Sequence, residues 1–290
     1  MKCNLCARNC NVDRTSALGF CQKDNKIEIS KVMLHYGEEP FLTNGGPSGA
    51  IFFAGCNLKC VYCQNYEISN GTGKTVSAKN LVDLFIQLEK AGAQNIDLVS
   101  PTHYAKQIIE ALKIYKPSVP VIYNCGGYEN PELIKELINF VDIFLIDLKY
   151  YSDELAIKYS SAPNYFSVAT ACIKTIEKLK PNKWKNGQLI QGLVIRHLCL
   201  PSHNQDSKAV LSWIASNNKN CLVSIMSQYV PMHKANEYEE INRSLKPLEY
   251  KLIVNFAKQL GLKNALIQEL SSNTTELLPN FTEKDSRFKY

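Results

Sequence analysis

The sequence has no apolar run of the about 20 residues that a membrane-crossing helix needs, so insertion into a bilayer is not expected. Its opening residues, MKCNLCARNC, lack the apolar core of a secretory signal, and export is not expected either. Internal repeats and low-complexity tracts are missing as well. Excess charge of one sign is small: 33 Lys and Arg against 27 Asp and Glu leave +6. Some of it gathers in KTIEKLKPNKWKNG, residues 174–187. Aromatic interleaving there is slight and no nucleic-acid fold signature accompanies it, so a solvated helix end and loop is favoured over a nucleic-acid surface. The tract GTGKT at 71–75 lacks the earlier glycine of a phosphate loop, because Ile68 stands in its place, and nucleoside triphosphate binding is not expected.

What the chain does have is 290 residues, 45% of them hydrophobic, enough to bury a large α/β core without disulfide staples. Its eleven cysteines therefore need another reason. In the reducing cytoplasm inferred from the missing export signals, clustered cysteines read as metal ligands or redox groups. Six short apolar runs follow residue 46: AIFFAG (50–55), NIDLVS (95–100), VPVIYNC (119–125), IFLIDLK (143–149), LIQGLVIRHL (189–198) and LVSIMSQYV (222–230). Most have the continuous β-branched and aromatic character of strands buried on both faces. Between them, Leu81, Leu84, Phe85 and Leu88 recur at helical spacing, as do Ala105, Ile108, Ile109 and Leu112. Asn130 and Pro131 open a third helix as cap and first residue. Alternating strands and helices predict a parallel barrel, complete or partial, with catalytic groups at the C-terminal strand ends. Residues 1–45 read as a small appended module, and LPNFTEKDSRFKY, after Leu277, as a loosely held tail.

One stretch, GCNLKCVYCQN at 55–65, supplies Cys56, Cys60 and Cys63, and no cysteine follows until Cys125. Thiolates at this spacing, on a loop leaving a buried strand, can converge on one centre. Structural zinc wants four protein ligands in a closed tetrahedron, and only three are local. An iron–sulfur cubane accommodates three, leaving its fourth iron open to a small molecule. Three buried structural cysteines are the competing reading.

The motif CNLKCVYC, with an aromatic residue just before its last cysteine, resembles the radical S-adenosylmethionine superfamily, and within it the uncharacterised relatives of pyruvate formate-lyase activating enzyme. The resemblance covers roughly residues 46–270. It implies an α/β fold, a partial parallel (β/α)6 barrel, here with a small N-terminal Cys-rich module at 1–45 and a tail at 271–290. It also implies a [4Fe-4S] cluster whose open iron is chelated by S-adenosylmethionine. An electron cleaves that sulfonium to methionine and a 5'-deoxyadenosyl radical, which takes hydrogen from a substrate. An electron donor such as flavodoxin or ferredoxin would feed the cluster, and the substrate would be a protein or a small molecule.

The same resemblance points to cofactor-binding residues. Tyr62 would pack near the adenine. Ser100, Pro101 and Thr102 occupy the place of a Gly-Gly-Glu motif that receives the methionine amino group, a departure from the family pattern. His103 is a candidate for the substrate pocket or for a helix cap. Asn124 precedes a Gly pair that would let backbone approach a ligand, with a simple turn as the alternative. Asp147 and Lys149 alternate with apolar neighbours and so point the same way, toward the barrel mouth, while Leu148 points away. The matching residues of glycyl-radical activating enzymes contact S-adenosylmethionine; a structural ion pair is the alternative. Arg196 offers a fork suited to a carboxylate and falls where related activases have an arginine. His197 and Cys199 are read as packing residues, Cys125 as a small hydrophobe. Among Gln228, Tyr229 and His233, one is expected to approach the adenosyl group or substrate.

Cys3, Cys6, Cys10 and Cys21 form C-x2-C-x3-C-x10-C, a set of four that can close around a metal. Structural zinc and an auxiliary iron–sulfur centre both fit. Three functions follow for the whole chain: a radical enzyme that installs a glycyl radical on a protein, a radical enzyme acting on a small molecule or peptide, and a zinc-stapled binding protein without catalysis.

Overall fold

In the computed structural model, which describes residues 2–272, 279–281, 283 and 285–290, all six apolar runs become parallel strands of one sheet. The chain enters it through β1 (Ile27–His35), turns through α1 (Pro40–Thr43) and continues into β2 (Ser48–Phe53), α2 (Tyr66–Ser69), β3 (Lys74–Val76) and α3 (Ala78–Lys90). Alternation follows: β4 (Ile96–Val99), α4 (Ala105–Ile114), β5 (Val121–Cys125), α5 (Pro131–Leu137), β6 (Ile143–Asp147), α6 (Asp153–Ser160) and α7 (Tyr165–Leu179). The remainder comprises β7 (Lys183–Lys185), β8 (Gln188–Leu198), α8 (Asn204–Asn217), β9 (Leu222–Met226), α9 (Pro247–Gln259) and β10 (Ala265–Ile267).

The sheet runs β10-β9-β8-β6-β5-β4-β2-β1-β3, with β7 paired to β8 off this path. From β2 to β10 every neighbouring pair is parallel. The sheet does not close on itself among the described residues, so the barrel is partial. The helices form for local reasons as well as through packing. Ser77 and Asn80 make a reciprocal capping box at the start of α3, whose Leu81, Leu84, Phe85 and Leu88 are buried. The Asn130 side chain accepts from the Glu132 N–H, and Pro131 fills the first position of α5.

Side chains facing into the barrel change character along the strands. Near the N-terminal ends Ile122, Ile143, Leu145 and Val194 pack around Leu42 of α1, which is fully buried. Burial of a leucine of this kind contributes about 1.5–3 kcal/mol. Toward the C-terminal ends the inward positions become polar: Asn124, Asp147, Arg196 and Ser224 line a cavity.

The sheet starts earlier than the sequence pattern suggests. β1 lies within the first 45 residues and pairs antiparallel with β2, Val32 opposite Ile51. Its alternating burial is interrupted at Lys31, which blurs the period in IEISKVMLH. The part that stands outside the sheet is therefore residues 2–26. The three-residue strands β3, β7 and β10 are too short to leave a periodic signal. Part of the expected tail (273–278, Thr282 and Lys284) lies outside the described residues. Its end is held: Phe288 is buried beside α3, and Gln87 exchanges two hydrogen bonds with the Lys289 backbone, 2.8 and 3.0 Å. Among the described residues no helix is long and apolar enough to cross a membrane.

Candidate functional site

Beyond β2 the chain turns at Gly55, whose φ of +89° lies in the left-handed region and whose missing Cβ leaves room for the Cys21 carbonyl. The loop that follows carries Cys56, Cys60 and Cys63, and all three line one cavity of about 460 Å³. The loop is fixed to the C-terminal end of α6, where Lys59 N–H donates to Ser160 O at 3.1 Å and Val61 N–H to Tyr159 O at 2.8 Å. The Cys60 sulfur lies 3.0 Å from Ser160 Oγ, which lies 2.7 Å from the Tyr150 hydroxyl. Tyr150 in turn meets the hydroxyl of Tyr62. The Leu58 N–H donates to the Cys56 sulfur at 3.5 Å.

Burial pushes the Cys56 thiol up to about 11 and the Cys63 thiol to about 12, with nearby Cys60 adding to both. All eleven cysteines are free thiols. Three soft sulfur donors on one short loop, facing one cavity, fit an iron–sulfur centre, which must displace their protons to bind. Among the described residues no group of three or more His, Cys, Asp or Glu is drawn together as the ligands of a single ion would be.

Across the cavity, Lys149 Nζ pairs with Asp147 Oδ2 at 2.5 Å, while Leu148 between them is buried in the core. Burial alone would lower the Lys149 pKa, but the Asp147 carboxylate outweighs it and holds the ammonium charged. Ser100, at φ +56°, also lines the cavity. Asn124 lines it too and donates to Asp97 Oδ2 at 3.2 Å. Burial, and next the charge of Glu38, raise the Asp97 carboxyl well above its ordinary range. Gln228 reaches the cavity, its side-chain oxygen accepting from Gln268 at 2.9 Å and its carbonyl from Gln64 at 2.9 Å.

Arg196 lines the same cavity, with its fork already engaged. It donates to both carboxylate oxygens of Glu39, at 2.9 and 2.7 Å, and to Glu38. Burial opposes its charge, but these two carboxylates prevail and raise its pKa. Sequence reasoning missed both glutamates. The pair EE ahead of Pro40 is visible, but nothing local ties it to a residue on β8.

Several expected residues point elsewhere. The Thr102 hydroxyl donates to Glu129 at 2.8 Å, away from the cavity, and Pro101 does not line it. His103 is buried against Ala54 O at 2.7 Å, and burial lowers its pKa to about 3. His233 stacks on Tyr66 with ring centroids 5.2 Å apart and is not part of the lining. His197 Nδ1 meets Leu148 O at 2.8 Å and is the donor there, since a carbonyl can only accept. Tyr62 and Tyr229 border the cavity while their rings pack edge to face, 5.7 Å apart. Cys199 is fully buried, whereas Cys125, nearly so, touches the cavity wall. Of the Gly pair, Gly126 lines the cavity beside Asn124, whereas Gly127 serves the protein's own backbone. Gly127, at φ +80°, lets the chain pass the Asp147 carbonyl, which would lie 2.3 Å from an added Cβ.

The four N-terminal cysteines sit beside the cysteine loop. Cys6 bridges to Glu129, and Arg8 Nε donates to Asn57 O at 2.8 Å.

The family profile described as the radical SAM superfamily matches residues 50–214. An uncharacterised protein of Methanocaldococcus jannaschii is 32% identical over 273 residues, 90% of this chain and 75% of that protein. The pyruvate formate-lyase-activating enzyme of Clostridium pasteurianum is 26% identical over 235 residues, 76% of this chain and 88% of that enzyme. Among solved structures, SuiB of Streptococcus suis bound to its precursor peptide SuiA superposes with a TM-score of 0.53 at 13% identity. That match covers 80% of this chain and 51% of SuiB, and is a likeness of fold alone.

Proposed function

The chain belongs to the radical S-adenosylmethionine superfamily, whose members use a [4Fe-4S] cluster and S-adenosylmethionine, and from this we propose that Cys56, Cys60 and Cys63 ligate the cluster. When bound, the cluster supplies an electron that splits S-adenosylmethionine into methionine and a 5'-deoxyadenosyl radical for hydrogen abstraction. The observation that carries this reading is that the three thiols share one cavity with the Asp147–Lys149 pair.

The chain's own groups orient the cofactor. Asp147 and Lys149 offer one acceptor and one donor of opposite charge, and Ser100, Asn124 and Gln228 add neutral polar contacts around the same space. Arg196, its fork held by Glu38 and Glu39, braces the wall rather than presenting an open fork. The apolar floor around Leu42 helps exclude water from that end of the barrel. The N–H and hydroxyl groups at Cys56 and Cys60 stabilise sulfur charge.

For substrate, the reading supported by the relative named as a pyruvate formate-lyase-activating enzyme is a protein on which a glycyl radical is installed. Flavodoxin or ferredoxin is the kind of electron donor proposed, in a cytoplasmic setting. Protein purified without air and given reductant and S-adenosylmethionine is expected to hold roughly four irons with matching sulfide at the Cys56–Cys60–Cys63 site and to release methionine. A doublet radical signal on a co-incubated glycyl-radical enzyme supports the protein substrate. Cofactor cleavage without that signal on any candidate moves the reading to a small molecule or peptide. Zinc alone, with no cleavage, leaves a zinc-stapled binding protein.

A further inference from the structure

Residues 2–26 fold without an apolar core: the buried side chains there are Cys6, Cys21, Arg14 and Lys23, with no aliphatic or aromatic residue among them. Leu5 and Ala7 rest half-buried against the barrel core, so hydrophobic burial holds this segment only in part, and no disulfide adds to it. Four cysteines are gathered in it. The sulfurs of Cys10 and Cys21 flank Gly19, at 3.9 and 3.3 Å from where its Cβ would stand. Cys3 and Cys10 lie within electrostatic reach of both Cys6 and Cys21. A tight loop returns the chain: Cys3 N–H donates to Val12 O at 2.8 Å and Asn11 N–H to Cys3 O at 3.1 Å. Asn9 and Asn11, either side of Cys10, and Gln22, after Cys21, take left-handed backbone conformations that turn the chain tightly at both cysteines. The Phe20 N–H already donates to the Cys10 sulfur at 3.3 Å.

The segment also grips the other cysteine loop. Arg8 donates to the carbonyls of Asn57 (2.8 Å), Ser160 (3.4 Å) and Ser161. Its guanidinium lies over the Phe20 ring at 3.8 Å. That cation is within electrostatic reach of Cys6, Cys10 and Cys56 together, and Lys59 is within reach of Cys21, Cys56 and Cys63. Cys21 O lies 2.8 Å from the Cβ position of Gly55, the residue before Cys56.

We propose that Cys3, Cys6, Cys10 and Cys21 are the ligands of a second metal centre, and that its assembly fixes the loop bearing Cys56. The site is a tetrathiolate, suited to zinc or to an iron–sulfur cubane. The sulfurs stand near one another without yet having the spacing of ligands around one ion, so uptake draws them in, and Arg8 carries that closure to Asn57 and Ser160.

The coupling rests on the reading of Cys56, Cys60 and Cys63 as ligands of the first cluster, and the test separates the two. Full-length protein carrying Cys56→Ala, Cys60→Ala and Cys63→Ala is purified without air and its metal and sulfide measured. Retained metal at one site's worth supports the second centre: zinc marks a structural staple, iron with sulfide an electron relay. A chain left without metal overturns it. If the triple variant instead holds as much metal as the wild type, the first-cluster assignment fails and the second site stands. Adding Cys6→Ala and Cys21→Ala to the triple variant is expected to remove the remaining metal, and its retention overturns the ligand set. In the otherwise intact chain, Arg8→Ala should keep the second metal yet release iron from the first cluster to a chelator several-fold faster. An unchanged release rate, with circular dichroism showing a folded protein, overturns the coupling.

Discussion

Arg196 and Glu39 are joined by two hydrogen bonds, 2.9 and 2.7 Å long, although 157 residues separate them in the chain. The pair, with Glu38 as a third partner, ties the connection after β1 to β8 across the barrel interior. Removing Arg196 strands both carboxylates as uncompensated buried charge. Arg196→Ala is therefore expected to destabilise the fold by about 3–5 kcal/mol. Neutralising all three together, as Arg196→Met, Glu38→Gln and Glu39→Gln in one chain, should cost less than the single change. Urea unfolding of both variants decides it, and a single variant as stable as wild type refutes the claim.

The cysteines differ sharply in expected role. Cys60→Ala should abolish S-adenosylmethionine cleavage, followed as methionine release, because the loop carries only three thiols and the proposed cluster uses all of them. Cys125→Ala should leave cleavage within a few-fold of wild type, since Cys125 touches the cavity wall as a small buried apolar group. Equal loss in both variants would contradict the ligand assignment.

Alternation along one strand end gives a paired test. Lys149→Met removes a charge facing the cavity and should weaken S-adenosylmethionine binding about 10- to 100-fold, or about 1.4–2.8 kcal/mol. Leu148→Ala, on the opposite face, should leave binding nearly unchanged while costing about 2–5 kcal/mol of stability. Calorimetric titration of the cluster-loaded protein and denaturant unfolding measure the two effects separately.

Acid should act through His197, alongside the buried His103. The Nδ1 of His197 faces the Leu148 carbonyl at 2.8 Å, and its Nε2 is buried without a hydrogen-bond partner among the described residues. Burial lowers its pKa from 6.5 to about 4. The unfolded chain binds the proton more readily, so this residue's contribution is complete above about pH 6.5 and is lost as pH falls toward 4. The loss is about 3 kcal/mol. His197→Asn should flatten that part of the unfolding profile, and an equally steep profile in the variant would count against it.

The strands were legible where burial on both faces makes an unbroken apolar run, as in IFLID, and the helices where spacing and caps agreed, as around Leu81 and Asn130. The cysteine loop was legible because its three cysteines are neighbours in sequence. The shared orientation of Asp147 and Lys149 followed from the two-residue period of a strand. What could not be read was any relation set by distant folding: Glu38 and Glu39 reaching Arg196, Ser160 under Cys60, or Arg8 spanning two cysteine clusters. His233 and Thr102 share neighbourhoods with cavity residues in sequence, but side-chain direction, which a turn controls, sends them to Tyr66 and Glu129.

The row from Cys60 through Ser160 and Tyr150 to Tyr62 is built from hydroxyls that each have a single proton to give. Once Cys60 is a thiolate, Ser160 must aim its proton at the sulfur, Tyr150 at Ser160 and Tyr62 at Tyr150, so that three dipoles align like dominoes fallen in one direction. A protonated sulfur permits the opposite alignment. The ionisation of one thiol is thereby felt at a tyrosine ring on the border of the cavity, and hydroxyl orientation there becomes a record of what the sulfur holds.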